Sequence, residues 1–271
     1  IRARRPPAGR RRDGDRTILS LEPSSRFKAV AVLGSGAWGT ALAILLGRAG
    51  VEARAWFRQP DRAALARDRR ANPDRLPNAA FPPRLTPTER IEEALEGADG
   101  ILLAAPSAAV GELAERITSL GLADLPTIIC AKGLRQSDGA FLSDVAMGHG
   151  LRTVGALSGP TFADEAALGR PLAAVIAFPP DQARWLAALA ATFAQSPVRL
   201  YPSDDMPGVQ ICGAAKNVIA VACGAAIGRG LGENARAAIA TRGLAEIARL
   251  VEAAGGRRET AAGLAGMGDL M

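Results

Sequence analysis

Phe27-Lys28-Ala29-Val30-Ala31-Val32-Leu33-Gly34-Ser35-Gly36-Ala37-Trp38-Gly39 is a short β-branched and apolar run that ends in a turn of three glycines. The small-residue segment after it, Thr40 to Ala49, stops at Gly50. This order predicts strand, glycine turn and helix. In that setting Gly34 permits the tight turn, Gly36 lets backbone N–H groups approach a pyrophosphate, and Gly39 lets helix and strand pack closely. The N-terminus of the helix then faces the anion. A GxGxxG string alone is often only a tight turn between packed elements. The strand before it and the helix after it point to dinucleotide binding.

Outward from the turn, Val51 to Phe57 reads as a second strand, Asp61 to Arg70 as a helix and Asn72 to Pro87 as a proline-rich loop. Helix Glu89 to Leu95, strand Gly100 to Ala104, helix Ala108 to Ser119 and strand Pro126 to Cys130 continue an alternation expected of a parallel, doubly wound sheet. Further strands are expected at Thr153 to Leu157, Ala173 to Phe178 and Val198 to Tyr201, with a helix through Ala188. Three strand ends carry loops, Ala105-Pro106-Ser107, Ala131-Lys132-Gly133 and Ser158-Gly159-Pro160-Thr161, and ligands of open α/β sheets lie outside such ends. Beyond Asp204 the segments Gly208 to Ile227 and Glu233 to Ala254 are Ala-rich without strand signals. Ile239, Leu244, Ile247 and Val251 recur there at helical spacing and read as core. The expected fold is therefore α/β, a Rossmann-type domain over residues 27–203 followed by an all-α domain over 204–271. The chain stops at Gly266-Met267-Gly268-Asp269-Leu270-Met271, which reads as the middle of that helical domain.

The 271 residues are 48% hydrophobic, enough for two domains with a substantial core. No stretch is apolar long enough to span a bilayer and no apolar signal core opens the chain, so a cytoplasmic protein is expected. Cys130, Cys212 and Cys223 lack CxxC spacing, and His149 is the one histidine, which argues against a disulfide framework, a metal site or a histidine triad. The net charge of +6 is not a nucleic-acid signature. Eight arginines face three acids in residues 1–26, which leaves +1 for the remainder. That Arg/Pro/Gly segment reads as a solvated leader.

Two positions carry chemistry by their surroundings. The second strand ends at Arg58 with no carboxylate to meet ribose hydroxyls; a guanidinium there can grip a 2′-phosphate, favouring NADPH over NADH, or can be a solvated loop charge. Lys216 sits within Gly213-Ala214-Ala215-Lys216-Asn217-Val218, an apolar helix. A desolvated ammonium there is a proton donor suited to a ketone, although a snorkelling surface lysine has the same sequence appearance.

Taken together, GSGAWGTALA, KGL, SGPTFADE, GAAKNVIAVACG, NARAAIATRGLAEIARL and GLAGMGDL resemble the NAD(P)-dependent glycerol-3-phosphate dehydrogenases of the bacterial type, from Phe27 to Met271 and in the same order. Other reductases of this architecture do not carry the set. The resemblance implies that Gly34, Gly36, Ala37, Trp38 and Gly39 form the cofactor turn, that Arg58 takes the 2′-phosphate and that Ala163 touches the cofactor. It implies that Lys132 contacts cofactor and substrate, that Gly159, Thr161 and Asp269 bind the substrate, and that Lys216 is the catalytic acid/base. The implied cofactor is NADPH, with NAD as the alternative, and no metal is needed. The substrate is a small phosphate, dihydroxyacetone phosphate or sn-glycerol 3-phosphate, on the way to phospholipids. A homodimer through the small-residue helices is compatible with these segments, which pack equally well within one subunit.

Two departures from the family pattern stand out. Ala37 replaces the usual serine, which removes one side-chain donor but no backbone N–H. The Arg-Asn pair that follows the GDL segment in the family is not among these 271 residues, so weak phosphate binding is expected of this stretch. The competing readings are an NADPH-binding module without turnover and a sister β-hydroxyacid or ketopantoate-type reductase.

Overall fold

Val30, Ala31, Val32 and Leu33 are each at most 2% exposed, so the first strand has no polar face and belongs in the middle of a sheet covered on both sides. The computed structural model describes residues 26–270, and the arginine-rich segment before Arg26 lies outside them. In chain order the elements are β1 (Ala29–Leu33), α1 (Ala37–Arg48), β2 (Glu52–Trp56), α2 (Pro60–Arg69), β3 (Ala71–Asn72), β4 (Leu76–Ala80), β5 (Leu85–Thr88), α3 (Ile91–Leu95), β6 (Gly100–Leu103) and α4 (Val110–Ser119). They continue with β7 (Thr127–Ile129), α5 (Leu142–Gly148), β8 (Val154–Ser158), α6 (Ala163–Ala167), β9 (Leu172–Ala177), α7 (Arg184–Phe193), β10 (Val198–Ser203), α8 (Met206–Gly228), α9 (Gly232–Ala253) and α10 (Arg258–Ala262).

The main sheet has the order β10-β9-β8-β7-β6-β1-β2-β5. β1 lies between β6 and β2, so the winding direction reverses at the strand that precedes the glycine turn. One face is covered by an apolar layer that includes α1, whose residues from Gly39 to Gly47 are all buried, and the other by Ile91, Leu113, Ile117 and Val145 of α3, α4 and α5. A third apolar cluster joins α8, α9 and α10 to β8 and β9 through Ala156, Ala177, Val209, Cys212, Ile247, Val251 and Ala261.

Three expectations are corrected here, and two helices are added. The segment from Asn72 to Pro87 is not a loop: β3 and β4 form an antiparallel hairpin, and β5 pairs with β2 as an edge strand of the main sheet. Prolines hid these strands, yet Pro87 is tolerated because β5 is an edge. The sheet is not wholly parallel, because β9 runs antiparallel to β8 through Ala156↔Ala177, Leu157↔Ile176 and Ser158↔Val175. α5 and α6 are helices in stretches to which the sequence reading assigned no element, and His149 caps the end of α5. Finally, α8 is long and apolar enough to cross a membrane by length and composition, where the sequence reading saw no such stretch. In the structure α8 packs against α9, α10 and β8 and carries a buried lysine at its middle.

Of the helical positions read as core, Ile247 and Val251 are buried, whereas Leu244 packs at the edge of the third cluster and Ile239 is half-buried.

Candidate active site

The glycine turn is built by contact. Gly34 adopts φ +126°, a left-handed conformation, and a Cβ there would stand 2.6 Å from the carbonyl carbon of Ala104 at the end of β6. A Cβ on Gly39 would stand 2.0 Å from the Gly34 oxygen. Gly36, the residue before α1, has nothing within 4 Å of its would-be Cβ. The turn therefore presses against the protein at two glycines and opens at the third, at the N-terminus of α1. An anion bridged by backbone N–H groups fits that opening.

The opening belongs to a cleft of about 790 Å³ along the carboxyl ends of β1, β6 and β7. Gly34, Gly36, Trp38, Arg58, Lys132 and Thr161 of the candidate residues line it. Arg58, Arg62, Arg75 and Lys132 face a single acid, Glu112, on its walls, so the cleft is cationic. Ala37 begins α1 and packs partly into the sheet core, Gly39 is buried, and Ala163 opens α6 beside that core; none of the three lines the cleft.

At one end Lys132, in the loop after β7, gathers the remaining candidates. Its Nζ donates to the Gly159 carbonyl at 3.0 Å, to Thr161 Oγ1 at 2.7 Å and to Asp269 Oδ2 at 2.8 Å. Gly159 can turn its carbonyl this way because its φ of +144° is open to glycine. Lys216 comes from α8 and ion-pairs with the same Asp269 oxygen. It is 6% exposed, so it is not a snorkelling surface lysine. Asp269 is delivered by a π-helical turn, Leu264–Gly268, which folds tightly enough that a Cβ on Gly266 would meet the Ala261 oxygen at 2.1 Å. Two ammonium groups and one carboxylate thus share a site assembled from three distant parts of the chain. Burial lowers the Lys132 ammonium from its ordinary 10.5 to about 8; Asp269 opposes this and Lys216 adds to it.

Sequence reasoning missed Trp56, Gln59, Arg62 and Arg75 on the cleft wall, the buried Asn72 behind it, and the buried Asp205 at the start of α8. Asp205 Oδ1 accepts from the Gly208 N–H at 2.9 Å and so caps α8, while Oδ2 accepts from the Arg257 N–H at 2.9 Å and from Thr260 Oγ1 at 2.5 Å. Its signal was in the sequence, an Asp followed by the apolar helix and a proline at its second residue.

Residues 29–184 match the N-terminal domain, and residues 205–271 the C-terminal domain, of NAD-dependent glycerol-3-phosphate dehydrogenases. This chain belongs to the NAD-dependent glycerol-3-phosphate dehydrogenase family. Among its relatives, the glycerol-3-phosphate dehydrogenase [NAD(P)+] of Rhodospirillum rubrum is 44% identical over 243 residues, which cover 89% of this chain and 69% of the relative. The protein of the same name from Deinococcus radiodurans is 45% identical over 244 residues, covering 90% of this chain and 72% of that one. The crystal structure of glycerol-3-phosphate dehydrogenase from Coxiella burnetii superposes with a TM-score of 0.85 at 38% identity, covering 90% of this chain and 74% of that chain. The glycerol-3-phosphate dehydrogenase fold thus accounts for both the sheet and the helices. Among the described residues no cluster of His, Cys, Asp or Glu could hold a metal ion.

Proposed function

We propose that this chain interconverts dihydroxyacetone phosphate and sn-glycerol 3-phosphate with a nicotinamide dinucleotide, preferring NADPH. The observation that carries the reading is Asp269, which holds Lys132 and Lys216 on one oxygen at the end of a cationic cleft. The dinucleotide would lie along that cleft, with Gly34, Gly36 and Trp38 at its pyrophosphate and Arg58 at its ribose phosphate. Ala37, Gly39 and Ala163 support that wall from behind.

When bound, the nicotinamide supplies or accepts the hydride. The chain's own groups manage the oxygen. Lys216 protonates the alkoxide that develops as the ketone is reduced, and takes that proton back in the reverse direction. Lys132 places a second positive charge beside the same oxygen, where exclusion of water strengthens it. Asp269 fixes both ammonium groups before substrate arrives, with Thr161 and the Gly159 carbonyl also holding Lys132, and it can accept from the substrate hydroxyls. No redox step falls on a protein side chain, and none of the three cysteines is needed. The product would feed phospholipid assembly, in keeping with the cytoplasmic setting expected above.

The deciding experiment follows NADPH oxidation in the presence of dihydroxyacetone phosphate, with ketopantoate as the carboxylate comparator. Turnover with the phosphate is the expected result. NADPH binding without turnover of either substrate would overturn the enzyme reading in favour of a binding module, and preference for the carboxylate would move the chain to a sister reductase.

A further inference from the structure

Asn72 is 4% exposed, and its amide nitrogen donates to the Ser35 carbonyl at 3.0 Å and to Thr40 Oγ1 at 2.8 Å. Ser35 is inside the glycine turn and Thr40 is in the first turn of α1. Because a carbonyl only accepts, the amide nitrogen must be the atom that faces Ser35. A side chain from the β3–β4 hairpin therefore pins that hairpin to the cofactor turn.

The bend of the same hairpin is held twice more. The Arg75 N–H donates to the Asn72 carbonyl at 3.2 Å, and Asp74 ion-pairs with Arg62 of α2 at 3.4 Å. Arg75 is thereby fixed at its backbone while its exposed side chain lines the cleft with Arg58 and Arg62. Among the described residues Arg58 and Arg75 make no ion pair, and Arg62 is shared with Asp74. Guanidinium groups gathered on one cleft without matching carboxylates repel one another until an anion joins them, and a phosphate is the dianion whose oxygens several can share.

We propose that Arg75, positioned by Asn72, selects the phosphorylated dinucleotide by gripping the phosphate on its adenosine ribose together with Arg58. This rests on the reading of the cleft as a dinucleotide site. It adds that selectivity resides on the hairpin as well as at the tip of β2, and that one buried amide couples the selecting arginine to the pyrophosphate turn.

The test titrates 2′,5′-ADP, 5′-AMP and inorganic phosphate into the purified chain, read by the fluorescence of Trp38 and Trp56 on the cleft wall. The intact protein is expected to bind 2′,5′-ADP tighter than 5′-AMP by at least about tenfold, the scale of one charge-assisted hydrogen bond, with inorganic phosphate too weak to compete. Arg75→Ala should lower that ratio at least severalfold, leaving the share held by Arg58, without changing Tm, since the residue is exposed. Asn72→Ala should lower the ratio as well. A ratio kept by Arg75→Ala but lost in Arg58→Ala would overturn the role of Arg75 and leave the dinucleotide site standing. No preference in the intact protein would overturn the ribose-phosphate reading itself. Equal weakening of both nucleotides by Asn72→Ala, at an unchanged ratio, would reduce Asn72 to a support of the turn and defeat the coupling.

Discussion

The two ends of the cleft are built in opposite ways. At the glycine turn the shape is set by backbone against backbone, with Gly34 against Ala104 and Gly39 against Gly34, and by a helix buried along its whole middle. At the lysine end one such contact, Gly266 against Ala261, shapes the turn that carries Asp269, but α8 has exposed Val218 and Val221, and the three side chains are held together by charge, with Lys132 and Lys216 on Asp269. The first end owes its form to what cannot fit, the second to what must be paired. A substitution should therefore harm folding and cofactor binding at one end and turnover at the other.

The sharpest way to break that division is Lys216→Ala. Loss of the proton donor is expected to slow turnover about 10²–10⁴-fold, the usual contribution of a general acid, while NADPH affinity stays within about twofold. Steady-state rates and a binding titration on the same sample decide it. An equal loss of NADPH affinity would mean that the lysine end also shapes the cofactor end.

Two alanines sharpen the other side. Gly39→Ala drives a methyl into the Gly34 carbonyl and should cost about 3 kcal/mol of stability, visible as a lower Tm. Gly36→Ala meets no protein atom, and its φ of −67° suits any residue, so Tm should hold while NADPH and NADH both bind at least about tenfold more weakly. If Gly36→Ala bound both cofactors normally, the opening at Gly36 would not be where the pyrophosphate lies.

The same contrast decides what was legible in the sequence. Strand, glycine turn and helix follow from residues within one short window, where local sterics and hydrophobic pattern agree. The hairpin and β5 were illegible because Pro77, Pro82, Pro83 and Pro87 break the strand pattern, and only edge positions, known once the sheet is assembled, permit them. The reversal of β9 is likewise a property of the whole sheet. Lys132 and Asp269 lie 137 residues apart, and no local rule joins them. Their candidacy came from motif resemblance, and their meeting on one oxygen came from the structure. Asn72 left no trace in composition, since a buried amide differs from a loop amide only in what surrounds it.

Asp205 tests whether the charged end depends on helix placement. It caps α8 and ties that helix to the start of α10, so Asp205→Ala strands three donors and should cost about 2 kcal/mol. Denaturant unfolding gives the stability change. The rate loss should exceed any loss of NADPH affinity, because α8 carries Lys216 and does not line the cofactor wall.

The smallest effect comes from Lys132, and its sign separates chemistry from stability. Burial brings this ammonium from 10.5 to about 8, so it sheds its proton in the folded protein as pH passes about 8. The cation beside the reacting oxygen is then lost, and kcat/KM for ketone reduction should fall on that limb. Stability from this group moves the other way. Between about 8 and 10.5 the unfolded chain binds more protons at Lys132 than the folded one does, so its contribution favours the folded state as pH rises through that window. A falling rate there cannot be charged to unfolding driven by Lys132. Lys132→Arg keeps its charge throughout, and should lower the rate at neutral pH through altered geometry while moving the falling limb upward. A limb that stayed near 8 in Lys132→Arg would assign the titration to another group and remove Lys132 from the electrostatics of the step.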